Sequence, residues 1–291
     1  MGKLTQKRIA TVTADAAGNT TVFVLSGAKK NEYKGIADAL LGREGSDAEQ
    51  VAFVTGTNSF NMSGMEFCGN AARSFALLSA SGLVDGHASE DEQCVVPVNV
   101  SERAGTLDCA VDLGTSYTKM EMPKPKRVKV LKHCDFEPAV GKKAIVMDGV
   151  VHLIADGIEY TEENFEMIKD AMLAQFDPAC LGVLYVDPET CGMTPVIHVK
   201  NIGSTYIEGS CGSGTAAFAV FLAAKHDDGV FEYDIKQPGG TVRASVEMKA
   251  GHLISIHIEG PVALRKPEFL DVEFEALPDK GIPEELQNIE E

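Results

Sequence analysis

Two runs of this chain, Ala71 to Ala80 and Thr215 to Ala224, are small or apolar on nearly every side, the first broken only by Arg73. Helices of that kind are normally enclosed rather than laid on a surface. Around them lie short segments of apolar or period-2 character: Val22–Leu25, Val95–Val98, Tyr117–Met122, Val183–Val186, Val196–Val199 and Leu253–Ile258. The pattern predicts a β-rich architecture with one central helix per half. A further helix is predicted over Glu162–Ala174. The proline- and lysine-rich Pro123–Arg127 reads as a link between halves, and the acidic stretch Glu273–Glu291 reads as a solvated helix or frayed end.

The two apolar runs begin alike. Cys68-Gly69-Asn70-Ala71-Ala72 and Cys211-Gly212-Ser213-Gly214-Thr215 lie 143 positions apart, and Phe75, Ala76 and Ala80 match Phe218, Ala219 and Ala223 at the same offset. Each run then leads into alternating strands, and each half closes with a strand running into proline, at Met122-Pro123 and Gly260-Pro261. A duplicated unit is the simplest account. The expected fold is α+β, with two pseudo-symmetric domains, each a barrel-like sheet wrapped around a central helix. The expected boundaries are 1–127 for the first domain and 128–265 for the second, with 266–291 as an acidic tail.

Bulk properties narrow the function. At 291 residues the chain exceeds the usual size of a single core, and two domains are expected. A net charge of -17 argues against nucleic acid or an anionic membrane as a partner. No apolar run is long enough to span a bilayer. The N-terminus lacks the apolar core of a secretory signal, so a cytoplasmic setting is expected. Seven cysteines, an odd number without a CxxC pair, argue against a disulfide framework or a cysteine-rich zinc site, and no metal is expected.

A cysteine just ahead of a helix sits where backbone N–H groups are unpaired and the helix dipole is positive. That position is expected to lower a thiol's pKa and to attract a carboxylate. Two such sites facing each other would set two thiols on opposite sides of one bound anion. Cys94, Cys109, Cys134, Cys180 and Cys191 lack this context and read as small buried hydrophobes.

With these motifs the chain resembles the diaminopimelate epimerase family of cofactor-independent amino-acid racemases and epimerases. Cys68-Gly69-Asn70 is similar to that family's first-half motif, and Cys211-Gly212-Ser213-Gly214-Thr215 to its second-half motif. Proline racemase relatives typically carry histidine after Cys-Gly, so Asn70 favours the epimerase side. The resemblance implies two-base proton transfer at Cα by Cys68 and Cys211, without cofactor. It also implies that Gly69, Asn70, Gly212 and Ser213 donate to the α-carboxylate of a small amino-acid substrate. No lysine sits in a context suggesting a pyridoxal Schiff base.

Three further positions are carried over by that resemblance. Asn19, in Gly18-Asn19 ahead of Thr21–Val24, matches an asparagine that contacts substrate; otherwise it is a plain turn asparagine. His152 sits where the family has a histidine near the first cysteine, as its proton-relay partner; otherwise it is a packed strand histidine. Glu208, three residues before Cys211, takes the role of a glutamate beside the second cysteine, or else is a solvated loop carboxylate.

The departures bear on the substrate. The family's distal arginine has no counterpart in Tyr206–Ser210, and Val150 stands where an asparagine is expected. A distal carboxylate would lose its charge-matched partner. The segments around both cysteines most resemble the histidine racemases of this fold, so histidine is the expected substrate. The alternatives are a diaminopimelate epimerase with altered distal contacts, a broad-specificity racemase, or a non-catalytic binding member. A homodimer is compatible with the sequence.

Overall fold

The computed structural model describes residues 3–101, 105–200 and 203–276. Its four described α-helices are α1 (Tyr33–Leu41), α2 (Gly69–Ala80), α3 (Glu162–Phe176) and α4 (Gly212–Ala223). The described strands form one connected mixed sheet of 18 strands. The class is α+β, with the two small-and-apolar runs forming α2 and α4 among the short strands.

Each half is built on the same plan. In the first, the parallel strands Asn19–Val24 and Gln50–Gly56 are connected through α1; in the second, Val150–Asp156 and Cys180–Asp187 are connected through α3. Parallel neighbours need such a crossover, and a helix is its usual form. The strand Tyr117–Glu121 pairs antiparallel with His252–Pro261, from His257 opposite Glu121 to Pro261 opposite Tyr117, and so joins the two halves.

Helices α2 and α4 share one apolar core. Ala71, Phe75 and Leu78 of α2 belong to the same cluster as Ala216, Phe218 and Ala219 of α4, with Met122 and Ile258 among them. A smaller cluster lies under α3, where Phe165, Ile168 and Met172 pack on Leu153 and Val183. Another lies under α1, where Ile36, Ala37 and Leu40 face Val51 and Val272. The sequence pattern anticipated α3, which Thr161 and Asn164 start with reciprocal side-chain bonds. It missed α1, whose apolar face is only a few residues long.

One reading is corrected. Glu268–Ala276, taken with the acidic tail, is a strand paired antiparallel with Lys3–Ala16, from Lys3 opposite Ala276 to Thr11 opposite Glu268. Val272 and Phe274 are buried, whereas Asp271, Glu273 and Glu275 are exposed. The outward face supplies the acidic count and the inward face the packing, a period of two that composition conceals. This strand returns the chain to its first half. The remainder of the expected tail, 277–291, lies outside the described residues.

Candidate active site

The two cysteines hold equivalent places. Each is the N-cap of its helix in extended backbone, Cys68 at φ -125°, ψ 114° and Cys211 at φ -116°, ψ 112°. Each sulfur accepts the backbone N–H three residues on, from Ala71 at 3.4 Å and from Gly214 at 3.4 Å. The thiols thus do what a serine or aspartate does at an ordinary helix start. The first-turn N–H groups of Gly69, Asn70, Gly212 and Ser213 lack intrahelical acceptors, as at every helix start.

The two helix starts also touch. A Cβ on Gly212 would stand 3.1 Å from the Asn70 nitrogen and 3.3 Å from the Gly69 Cα. Glycine at these first helical positions therefore lets two positive helix ends converge. Cys68 and Cys211 line one cleft of about 550 Å³ between them, together with Gln50, Glu66, His152 and Glu208.

Around Cys68 the polar partners come from the first half. Gln50 Nε2 donates to its sulfur at 3.2 Å and to Asn19 Oδ1 at 2.7 Å. Asn19 in turn donates to Glu49 at 2.9 Å, and Cys68 Sγ lies 3.9 Å from its Oδ1. Asn19 is buried and does not line the cleft; its amide is spent on Glu49, Gln50 and Cys68. The side chain of Asn70 is likewise spent, donating to the carbonyl and hydroxyl of Ser210 and accepting from Arg73.

Around Cys211 the partners come from the second half. Glu208 lines the cleft with Cys211, and its charge adds to burial in raising the thiol's pKa. Ser213 Oγ lies 3.6 Å from Cys211 Sγ and 2.9 Å from His152 Nε2. The resemblance implied a histidine beside the first cysteine, but His152 stands on the side of the second. The reason is its strand, Val150–Asp156, which packs against α4. Gly182 makes room for the ring, since a Cβ there would come within 2.4 Å of His152 Nδ1.

The electrostatics overturn one expectation. Burial pushes Cys68 up to about 12, with the charge of Glu208 adding to it. Cys211 is raised well above the usual thiol range, first by burial and then by Glu208. In this enclosed cleft the desolvation of a thiolate outweighs the helix ends, so both thiols are protonated. Burial also lifts Glu208 to about 8 and holds His152 neutral by lowering it to about 3. Glu208 is thus the cleft group beside Cys211 that titrates nearest neutrality.

Sequence reasoning missed Glu49, Gln50 and Glu66. The adjacent polar pair Glu49-Gln50 at the start of an otherwise apolar strand was the available signal. The pairing of Asn19–Val24 with that strand brings the pair to Cys68.

A family model described as the histidine racemase CntK N-terminal domain matches residues 9–266. The chain belongs to this histidine racemase family. It is an isomerase of the racemase and epimerase class. The histidine racemase of Staphylococcus aureus (strain Mu50 / ATCC 700699) is 29% identical over 236 residues, covering 78% of this chain and 84% of the relative. That of Fusobacterium nucleatum subsp. nucleatum (strain ATCC 23726 / VPI 4351) is 28% identical over 253 residues, covering 85% and 91%.

Solved structures share the fold of this family member. A hydroxyproline epimerase from Agrobacterium vitis, with bound trans-4-hydroxy-L-proline, superposes with a TM-score of 0.61 at 13% identity, covering 91% of each chain. A probable proline racemase from Agrobacterium radiobacter K84, with bound carbonate, gives 0.61 at 14%, covering 89% and 92%. Asn70 had pointed away from proline racemases, yet these neighbours are of proline-racemase type. A single residue after the motif does not set the fold. Among the described residues, no helix is long and apolar enough to cross a membrane.

Proposed function

We propose that this chain interconverts L- and D-histidine by passing the Cα proton between Cys68 and Cys211, without an organic cofactor. The carrying observation is the matched pair of N-cap thiols at two converging helix starts on one cleft. The substrate's α-carboxylate accepts from the first-turn N–H groups of Gly69, Asn70, Gly212 and Ser213. Those bonds strengthen as negative charge spreads onto the carboxylate in the transition state. One cysteine, as thiolate, takes the proton from one face of Cα, and the other, as thiol, gives one to the opposite face. In the reverse direction they exchange roles.

The surrounding groups supply the protonation states. Glu208 accepts the Cys211 proton, and the α-ammonium of the entering substrate compensates the thiolate so formed. Gln50 donates to the Cys68 sulfur and Asn19 orients Gln50. His152, neutral, holds Ser213 beside Cys211. The family's named members favour histidine, and Tyr206–Ser210 offers no arginine for a distal carboxylate. The same reading takes the two halves, 1–127 and 128–265, as domains of a diaminopimelate epimerase-like pair that close on the amino acid. It also places the enzyme in the cytoplasm, as a homodimer without nucleic-acid or membrane partners.

Solvent deuterium exchange at Cα, measured across a panel of L-amino acids, tests this. Exchange and racemisation should be fastest with histidine. No exchange with any amino acid would leave a binding protein.

A further inference from the structure

We infer that Glu66 is the residue that recognises the side chain of the substrate, selecting a ring that presents an N–H donor. The inference rests on the racemase reading above, for it concerns the same cleft. Glu66 stands two residues before Cys68 at the end of a tight turn, in which the Met65 N–H bonds the Met62 carbonyl and Met65 is left-handed at φ 62°. A non-glycine residue held there is strained, and such strain persists where the surroundings fix it. The turn folds the Glu66 carboxyl back over Gly64, where a Cβ would stand 2.5 Å from its Oε2.

That oxygen is the telling one. Oε2 is buried and has no hydrogen-bond partner among the described residues. Burial raises the Glu66 pKa, against the backbone N–H groups of Gly64 and of Glu66 itself. A buried acceptor without a donor is costly, and a ligand that brings a donor removes the cost.

The position matches a side-chain subsite. Glu66, Asp148, Gly149, Cys180 and Val199 line both the cleft between the thiols and an adjoining cavity that leads away from the two helix starts. An amino acid anchored by its carboxylate at those starts directs its side chain along this path. Asp148 is already held by Lys126 Nζ at 2.8 Å, and Cys180 is neutral, raised to about 12 by burial. Val150 and Val199 flank the path as apolar wall. Glu208 also has a buried, unpartnered Oε2 but lines only the cleft and not the adjoining cavity, so Glu66 is the carboxylate on this path that a ring N–H can reach, and the valines suit the ring's faces.

The test pairs a deletion in the protein with one in the substrate. Cα deuterium exchange is measured for wild type and Glu66→Gln with L-histidine and with thienylalanine, a ring of similar shape lacking N–H donors. Wild type should prefer histidine by about 100-fold or more in kcat/KM. Glu66→Gln should reduce that preference to within a few-fold and melt like wild type, the ratio of the two substrates being the readout because the Glu66 charge also acts on the Cys68 thiol. Histidine preference retained in Glu66→Gln, or equal loss with both substrates, overturns the assignment. Wild type exchanging neither substrate would instead overturn the racemase reading, and this inference with it.

Discussion

Asn70 is tied to Ser210 by two hydrogen bonds from its Nδ2, to the hydroxyl at 3.0 Å and to the carbonyl at 3.2 Å. The first residue lies two positions after one cysteine and the second immediately precedes the other. Ser210 also donates to the Ala16 carbonyl at 2.9 Å, and the neighbouring Gly209 N–H bonds Glu49 at 2.8 Å. The loop that presents Cys211 is therefore fastened to the half that presents Cys68. Separate deletion of the two partners should reveal that fastening. In a double-mutant cycle, Asn70→Ala and Ser210→Ala are expected to be coupled by about 1 kcal/mol in chemical denaturation. Strict additivity would mean that the contact contributes nothing.

Replacing either cysteine should stop racemisation. A serine hydroxyl is a far poorer base than a thiolate, so Cys68→Ser and Cys211→Ser should each lose about 10²–10⁴-fold in kcat/KM. Each variant should still cap its helix, because the hydroxyl also accepts the N–H of Ala71 or Gly214. Circular dichroism melts close to wild type, with racemisation lost, are the expected pair of readings. Near-wild-type racemisation by either variant would show that the bases lie elsewhere.

Glu208 should leave its mark on the pH dependence. Its pKa in the fold is raised to about 8 from an ordinary 4.5. The folded state therefore holds this proton more tightly than the unfolded chain does. Its contribution to stability is full below about pH 4.5 and is lost as pH rises through about 8. The melting temperature of Glu208→Gln, relative to wild type, should thus rise between pH 5 and pH 9. Activity should move the opposite way, since kcat/KM of wild type should climb as Glu208 ionises near pH 8. A Glu208→Gln enzyme with an unchanged activity profile would exclude this carboxylate as the proton acceptor.

Arg73 is the largest test of the interior. Fully buried in α2, it donates to the Gly260 carbonyl at 3.0 Å, Thr118 Oγ1 at 3.2 Å and Asn70 Oδ1 at 3.0 Å. Burial lowers its pKa to about 10, so it remains charged at neutral pH. Arg73→Met removes the donors to all three acceptors while keeping much of the volume. It should destabilise by about 3–5 kcal/mol, read from denaturant midpoints, through the lost charge-assisted bonds and the Asn70 Oδ1 left buried and unpaired, while Thr118 and the Gly260 carbonyl keep each other. A loss under 1 kcal/mol would show that water replaces the guanidinium.

The parts of this protein legible in the sequence are those fixed within a few residues of chain. A cysteine and glycine ahead of an apolar run specify a capped, enclosed helix, and finding that signature twice gave both thiols their place and their partner. Period-2 segments likewise announced many of the strands. The rest depends on which strands become neighbours. Asn19, Glu49 and Gln50 gather behind Cys68 because Asn19–Val24 pairs with Gln50–Gly56, and nothing local to any of them says so. His152 faces Cys211 because its strand packs against α4. The acidic Glu268–Ala276 became a strand because Lys3–Ala16 offered it a full edge. The thiol pKa values reversed for the same reason. A helix end acts on its own cap from within the chain, whereas desolvation is imposed by everything that closes over it, and only the tertiary structure sets how complete that closure is.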